Sequence, residues 1–81
     1  MNIIVYTKTG CPWCNQVIEF LNEKAVEYEE REVSNNKEFL AELVERSGQD
    51  KTPTLDIAGY VLADTDKDGV ERYLREKQIL I

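Results

Sequence analysis

Two cysteines spaced as Cys11-Pro12-Trp13-Cys14 stand where an apolar run gives way to a helical pattern, and this junction constrains the chain most. Ile3-Ile4-Val5-Tyr6 is β-branched and aromatic, the composition of a buried strand. Thr7-Lys8-Thr9-Gly10 breaks it as a loop. Pro12 suits the first helical position, where its fixed φ fits and its missing N–H would be unpaired anyway. Residues three apart share one helix face, so the two sulfurs can close a disulfide with little backbone movement. The first thiol also lies beside free backbone N–H groups at the positive end of a helix, which favours thiolate, the reactive form.

A cysteine pair in a small chain has three readings. A structural disulfide across so short a loop would constrain almost nothing. A zinc site needs four ligands, and a chain with two Cys and no His cannot supply them from such residues. A redox pair needs only this spacing beside a β–α pattern. The redox reading is the one the residues support.

Composition sets the frame. A chain of 81 residues is expected to form one domain, with a modest core. Hydrophobic residues at 42% and charged residues at 32% fit a soluble globular protein. No apolar run approaches the roughly 20 residues of a membrane helix. The N-terminus carries no basic region followed by an apolar stretch, so a cytoplasmic protein without a signal peptide is expected. Ten basic residues against sixteen acidic ones, a net charge of −6, argue against nucleic acid as a partner. The acids at Glu27, Glu29, Glu30, Glu32, Glu38, Glu42 and Glu45 read as a solvated surface.

Val17, Ile18, Leu21 and Ala25, flanked by Phe20, recur at helical spacing and predict a helix from about Pro12 to Lys24. Val26 to Val33 alternates as a half-exposed strand, and Ser34 is the expected N-cap of a second helix. That helix presents Phe39, Leu40, Leu43 and Val44, and Ser47-Gly48 ends it. Thr54–Ala58 and Tyr60–Ala63 form a hairpin around Gly59. Val70, Tyr73 and Leu74 mark a last helix, capped by Asp68 with Glu71, and Ile79-Leu80-Ile81 is expected to pack back on the domain. The order β-α-β-α-β-β-α implies a right-handed βαβ unit plus a hairpin. The expected fold is α/β, with a four-stranded mixed sheet flanked by helices on both faces. Asp64-x-Asp66-x-Asp68-Gly69 matches half of a calcium loop, but Arg75 stands where the bidentate Glu belongs. Those acids are expected to favour the start of the last helix instead.

Lys51-Thr52-Pro53-Thr54 places a proline at the entry of the third strand, since it cannot donate within a ladder. A strand, then Tyr6-Thr7-Lys8, Cys11-Pro12-Trp13-Cys14 and, about forty residues on, Thr52-Pro53-Thr54, resembles the glutaredoxin family of the thioredoxin-like fold. The resemblance covers essentially the whole chain. It implies that Pro53 is cis and lies beside the dithiol, and that Thr52 offers its backbone N–H and C=O to a bound peptide as an added strand would. It assigns Cys11 as nucleophile, Cys14 as resolving thiol and Lys8 as the cation favouring ionisation. Pro12 and Trp13 would line the substrate groove. Thr65-Asp66 matches the second half of the family's γ-glutamyl loop, while Ala63-Asp64 stands where two glycines are usual. Leu40 falls where many members hold the glycyl carboxylate, with Lys37 or Lys51 as substitutes.

What the resemblance implies is a thiol–disulfide oxidoreductase that reduces protein or low-molecular-weight disulfides. It implies no tightly bound cofactor, with glutathione or thioredoxin reductase as electron source; a monomer is expected, and the charge balance and the lack of a long apolar run argue against nucleic acid and membrane as partners. A second possibility is a redoxin fed by thioredoxin reductase that donates electrons to a reductase such as ribonucleotide reductase. A third is a module holding an iron–sulfur cluster or soft metal between two chains. Pro12 and Cys14 argue against that third reading, because such members usually have one active-site cysteine followed by glycine.

Overall fold

The computed structural model describes residues 2–79. The elements are β1 (Ile3–Thr7), α1 (Pro12–Glu23), β2 (Glu29–Glu32), α2 (Lys37–Ser47), β3 (Thr54–Ile57), β4 (Tyr60–Leu62) and α3 (Lys67–Glu76), in the expected order. The sheet runs β2-β1-β3-β4. β1 pairs in parallel with β2 and antiparallel with β3, and β3 pairs antiparallel with β4.

The apolar run of β1 is explained by burial on two sides. Ile3 and Val5 join Leu55 and Ile57 of β3 against Val17, Phe20 and Leu21 of α1 and Val70 and Leu74 of α3. Tyr6 points the other way and packs with Val33 and Leu43, with Ile4 and Phe39 at the margin of that cluster. Alternate strand residues face opposite sides of a sheet, so a strand covered on both faces has no polar positions to spare. Helices cover both faces, as expected.

Several boundaries differ from the sequence reading, each for a local reason. β2 is the four residues Glu29–Glu32 rather than the whole of Val26–Val33. Its side chains are all charged, and its place in the sheet rests on backbone pairing with β1 rather than on apolar alternation. Charged edge strands discourage further strand addition. α1 ends at Glu23 with Lys24 as its C-cap. The N-cap of α2 is Asn36, not Ser34: Asn36 Oδ1 accepts from the N–H groups of Glu38 and Phe39 at 3.0 Å each. Asp66, not Asp68, caps α3 by accepting the Gly69 N–H at 2.8 Å. Asp68 lies in the first turn of that helix. Ile79 packs against the core as expected, whereas Leu80 and Ile81 fall outside the described residues. Among the described residues no helix is long and apolar enough to cross a membrane.

Candidate active site

β1 delivers the chain to the loop before the two cysteines, and β2 holds that loop in place. Thr9 donates to Glu32 Oε1 from its N–H at 3.1 Å and from its hydroxyl at 2.7 Å. The same N–H also lies 3.0 Å from Ser34 Oγ, which accounts for Ser34 not capping α2. Asn35 N–H donates to the other Glu32 oxygen at 3.2 Å. These hydrogen bonds, the Thr9 hydroxyl first, hold the Glu32 carboxyl below the usual carboxylate range. Thr7 Oγ1 likewise donates to Glu30 Oε2 at 2.9 Å. Gly10 then takes φ +74°, a left-handed conformation that suits glycine.

Cys11 is the N-cap of α1 and Pro12 its first residue. Cys11 and Cys14 are joined in a disulfide with Cα atoms 5.2 Å apart, within the normal range. Cys11 Sγ also accepts the Cys14 backbone N–H at 3.2 Å. The two sulfurs differ in access. Cys14 is 1% exposed beneath the helix, while Cys11 is half-buried at the groove. The dipole and the unpaired N–H groups of the first turn bear on Cys11 most directly.

Facing the disulfide, the Thr52–Pro53 peptide bond is cis. Thr52 carbonyl O lies 4.0 Å from Cys11 Sγ, and Thr52 Oγ1 lies 3.7 Å from it. The Thr52 N–H has no partner among the described residues. Pro53 is buried, and its carbonyl accepts the Thr65 N–H at 2.9 Å. Thr54, 1% exposed, ties the neighbouring turns together. Its Oγ1 donates to Lys51 O at 2.8 Å and accepts from Asp64 N–H at 3.1 Å.

These elements enclose an open groove of about 550 Å³. Cys11, Pro12 and Trp13 of the α1 start line it together with Thr52 and Pro53. Lys8 and Lys51 border it, as do Thr65 and Asp66. The fold therefore brings Lys8, Cys11, Pro12, Trp13, Thr52, Pro53, Thr65 and Asp66 to one groove, with Cys14 behind it and reached through the disulfide. Trp13 is 60% exposed, so it lines the opening rather than covering the core. Asp66 has one carboxylate oxygen engaged in capping α3. Lys51 borders the groove, whereas Leu40 and Lys37 do not.

Sequence reasoning missed Thr9 and Glu32. Their contact depends on the parallel register that sets Thr7 opposite Glu32, a non-local fact with no motif. Asp64 also lines the groove, with φ +49°. Such a conformation is readily accepted by glycine and unusual for other residues, in keeping with the glycine that the family resemblance leads one to expect here. No group of His, Cys, Asp and Glu suited to a metal occurs among the described residues, and the half calcium motif is a helix start.

The family model for glutaredoxin matches residues 3–62. Glutaredoxin 1 of Rickettsia conorii is 38% identical over 84 aligned positions, which take in 94% of this chain and 82% of the relative. The crystal structure of the thioredoxin-like protein BC3987 superposes with a TM-score of 0.80 at 34% identity, covering 86% of this chain and 96% of the other. The glutaredoxin-like NrdH-redoxin of Escherichia coli superposes with a TM-score of 0.73, covering 89% of this chain and 93% of the other, and at 21% identity it attests the shared fold alone. Strand-loop-helix geometry, a closed Cys11–Cys14 pair and these likenesses agree: the chain belongs to the glutaredoxin family of thiol–disulfide oxidoreductases.

Proposed function

We propose that this glutaredoxin-family protein is a cytoplasmic monomer that reduces protein or small disulfides and is itself recharged by glutathione. The observation that carries the reading is the asymmetry of the pair, one sulfur at the groove and its partner 1% exposed. Cys11 thiolate attacks one sulfur of the substrate disulfide, forming a mixed disulfide and expelling one substrate thiolate. Cys14, as thiolate, then attacks Cys11 Sγ and expels the second substrate thiolate. Two electrons pass to the substrate, and the internal disulfide closes. Lys8 at the groove favours the thiolate, and the free Thr52 N–H and C=O grip the substrate backbone. Thr65 and Asp66, which line the groove, would hold the γ-glutamyl end of glutathione. A reducing cytoplasm would keep such a dithiol charged.

One observation favours a second reading. Asp64 adds a carboxylate to the groove and a Cβ where the family resemblance leads one to expect glycine, which opposes a ligand with carboxylates at both ends. The electron donor would then be thioredoxin reductase. The two readings part in one assay, in which the oxidised protein is given glutathione with its reductase or, in parallel, thioredoxin reductase. Faster reduction by glutathione is expected, with Cys11→Ser at background in both arms. Faster reduction by thioredoxin reductase would transfer the assignment to the second reading.

A further inference from the structure

We infer that the side-chain hydroxyl of Thr52, and not only its backbone, acts on the reacting sulfur by donating a hydrogen bond to the Cys11 thiolate. The inference rests on Cys11 as the nucleophile. Thr52 Oγ1 lies 3.7 Å from Cys11 Sγ, inside the range of a hydrogen bond to sulfur, and has no other partner among the described residues. Thr52 is half-buried in the groove wall, and the buried Pro53 that follows it fixes its backbone. Cys11 Sγ already accepts the Cys14 N–H at 3.2 Å, so a backbone and a side-chain donor converge on the same atom.

The two oxidation states use that donor unequally. A disulfide sulfur is a weak acceptor, whereas a thiolate carries a full charge, and hydrogen bonds to ionised groups are roughly twice as strong as neutral ones. The hydroxyl therefore stabilises the reduced form more than the oxidised form. Recharging uses this difference. A reductant thiolate bonds to Cys11 Sγ as the internal S–S bond breaks, and Cys14 leaves as a thiolate that takes up a proton. A second reductant thiolate then attacks the reductant sulfur of that mixed disulfide, forms the reductant's own disulfide and expels Cys11 as thiolate. A leaving thiol of lower pKa departs faster. Thr52 Oγ1 is placed to lower it, and because it touches the reacting atom it counts as a catalytic residue.

Three full-length variants test this: Thr52→Val, which replaces the hydroxyl with a methyl; Thr52→Ala, which repeats the loss without a branched side chain; and Thr52→Ser, which restores the donor. The readouts are the pH dependence of iodoacetamide alkylation, mapped to each cysteine by mass spectrometry, and the redox equilibrium against a glutathione buffer. In Thr52→Val the Cys11 ionisation constant should fall about threefold to tenfold, a pKa rise of about 0.5 to 1 unit. The dithiol–disulfide equilibrium should move by the same factor, about 15 to 30 mV toward more negative potential. Thr52→Ala should follow Thr52→Val, and Thr52→Ser should stay within about twofold of the parent protein. An unchanged Cys11 profile in Thr52→Val and Thr52→Ala overturns the inference while leaving Cys11 as nucleophile. So does Thr52→Ser behaving like Thr52→Val, which would assign the effect to packing. A parent protein in which Cys14 is the more acidic thiol overturns the nucleophile assignment itself, and the inference with it.

Discussion

Thr54 Oγ1 sits behind the cis proline and makes three hydrogen bonds: to Lys51 O, from Asp64 N–H and from Gln49 Nε2 at 3.2 Å. One neutral oxygen thus fixes the turn that presents Thr52 and the turn that presents Asp64, both of which line the groove. Thr54→Val keeps the shape and strips all three part-buried bonds. The expected loss is about 1–3 kcal/mol, from a net contribution of roughly 0.5–1.5 kcal/mol for each hydrogen bond lost. Urea denaturation checks it: a clear fall in midpoint at constant slope is expected. A midpoint equal to the parent's would mean the two turns are held by other contacts.

At the scale of elements, the β3–β4 hairpin shows a correctable defect. Its turn residues Ala58 and Gly59 have φ +51° and +94°, the positive pair that a tight two-residue hairpin turn requires. Gly59 accepts this freely, whereas Ala58 is held in a left-handed conformation costing an L-residue roughly 1 kcal/mol. Ala58 is exposed, so a larger side chain meets no wall. Ala58→Asn, which creates the favoured Asn-Gly turn, should add about 0.5–1 kcal/mol and raise the melting temperature by about 2–8 °C. An unchanged or lower melting temperature would show the turn is not strained. The hairpin itself was legible because Gly59 punctuates two apolar runs. β1 and α1 were legible for a related reason, since burial on two faces leaves an unbroken apolar run and burial along one stripe leaves a helical period. β2 was only half legible: a strand of Glu, Glu, Arg and Glu is defined by its neighbour's backbone, not by its own apolar content. The helix caps failed for another reason. Ser34 and Asp68 are good capping residues in isolation, but Ser34 is drawn to Thr9, and Asn36 and Asp66 lie at the actual ends. In the candidate site, the Cys11–Cys14 spacing carried its own chemistry, while the approach of Thr52, 41 residues from Cys11, could be read only from a family motif.

Across the whole molecule, acidic residues outnumber basic ones by sixteen to ten, and the acids are not all idle. Glu32 is held below its ordinary pKa by the Thr9 hydroxyl and then by Ser34. In Glu42, burial pushes upward but is outweighed by hydrogen bonds from Tyr6 and Arg31 and by nearby positive charge. Glu71 is lowered chiefly by Arg75 one helical turn on. A carboxyl whose folded pKa is depressed contributes stability that is present above its unfolded pKa, about 4.3 for Glu, and is lost as pH falls through the folded value. The urea midpoint should therefore change little from neutral pH to about 5 and then drop as pH falls through and below the ordinary Glu value. Replacing Glu32, Glu42 and Glu71 together by Gln should flatten that acid limb, and an equally steep limb in the triple variant would place the linkage elsewhere. The chain's single tryptophan, Trp13, lies between the two cysteines and is 60% exposed. Its indole is thus a built-in fluorophore within the loop that the disulfide closes, and emission that differs between the oxidised and the reduced protein would let each turnover be followed by light, in real time and without a label.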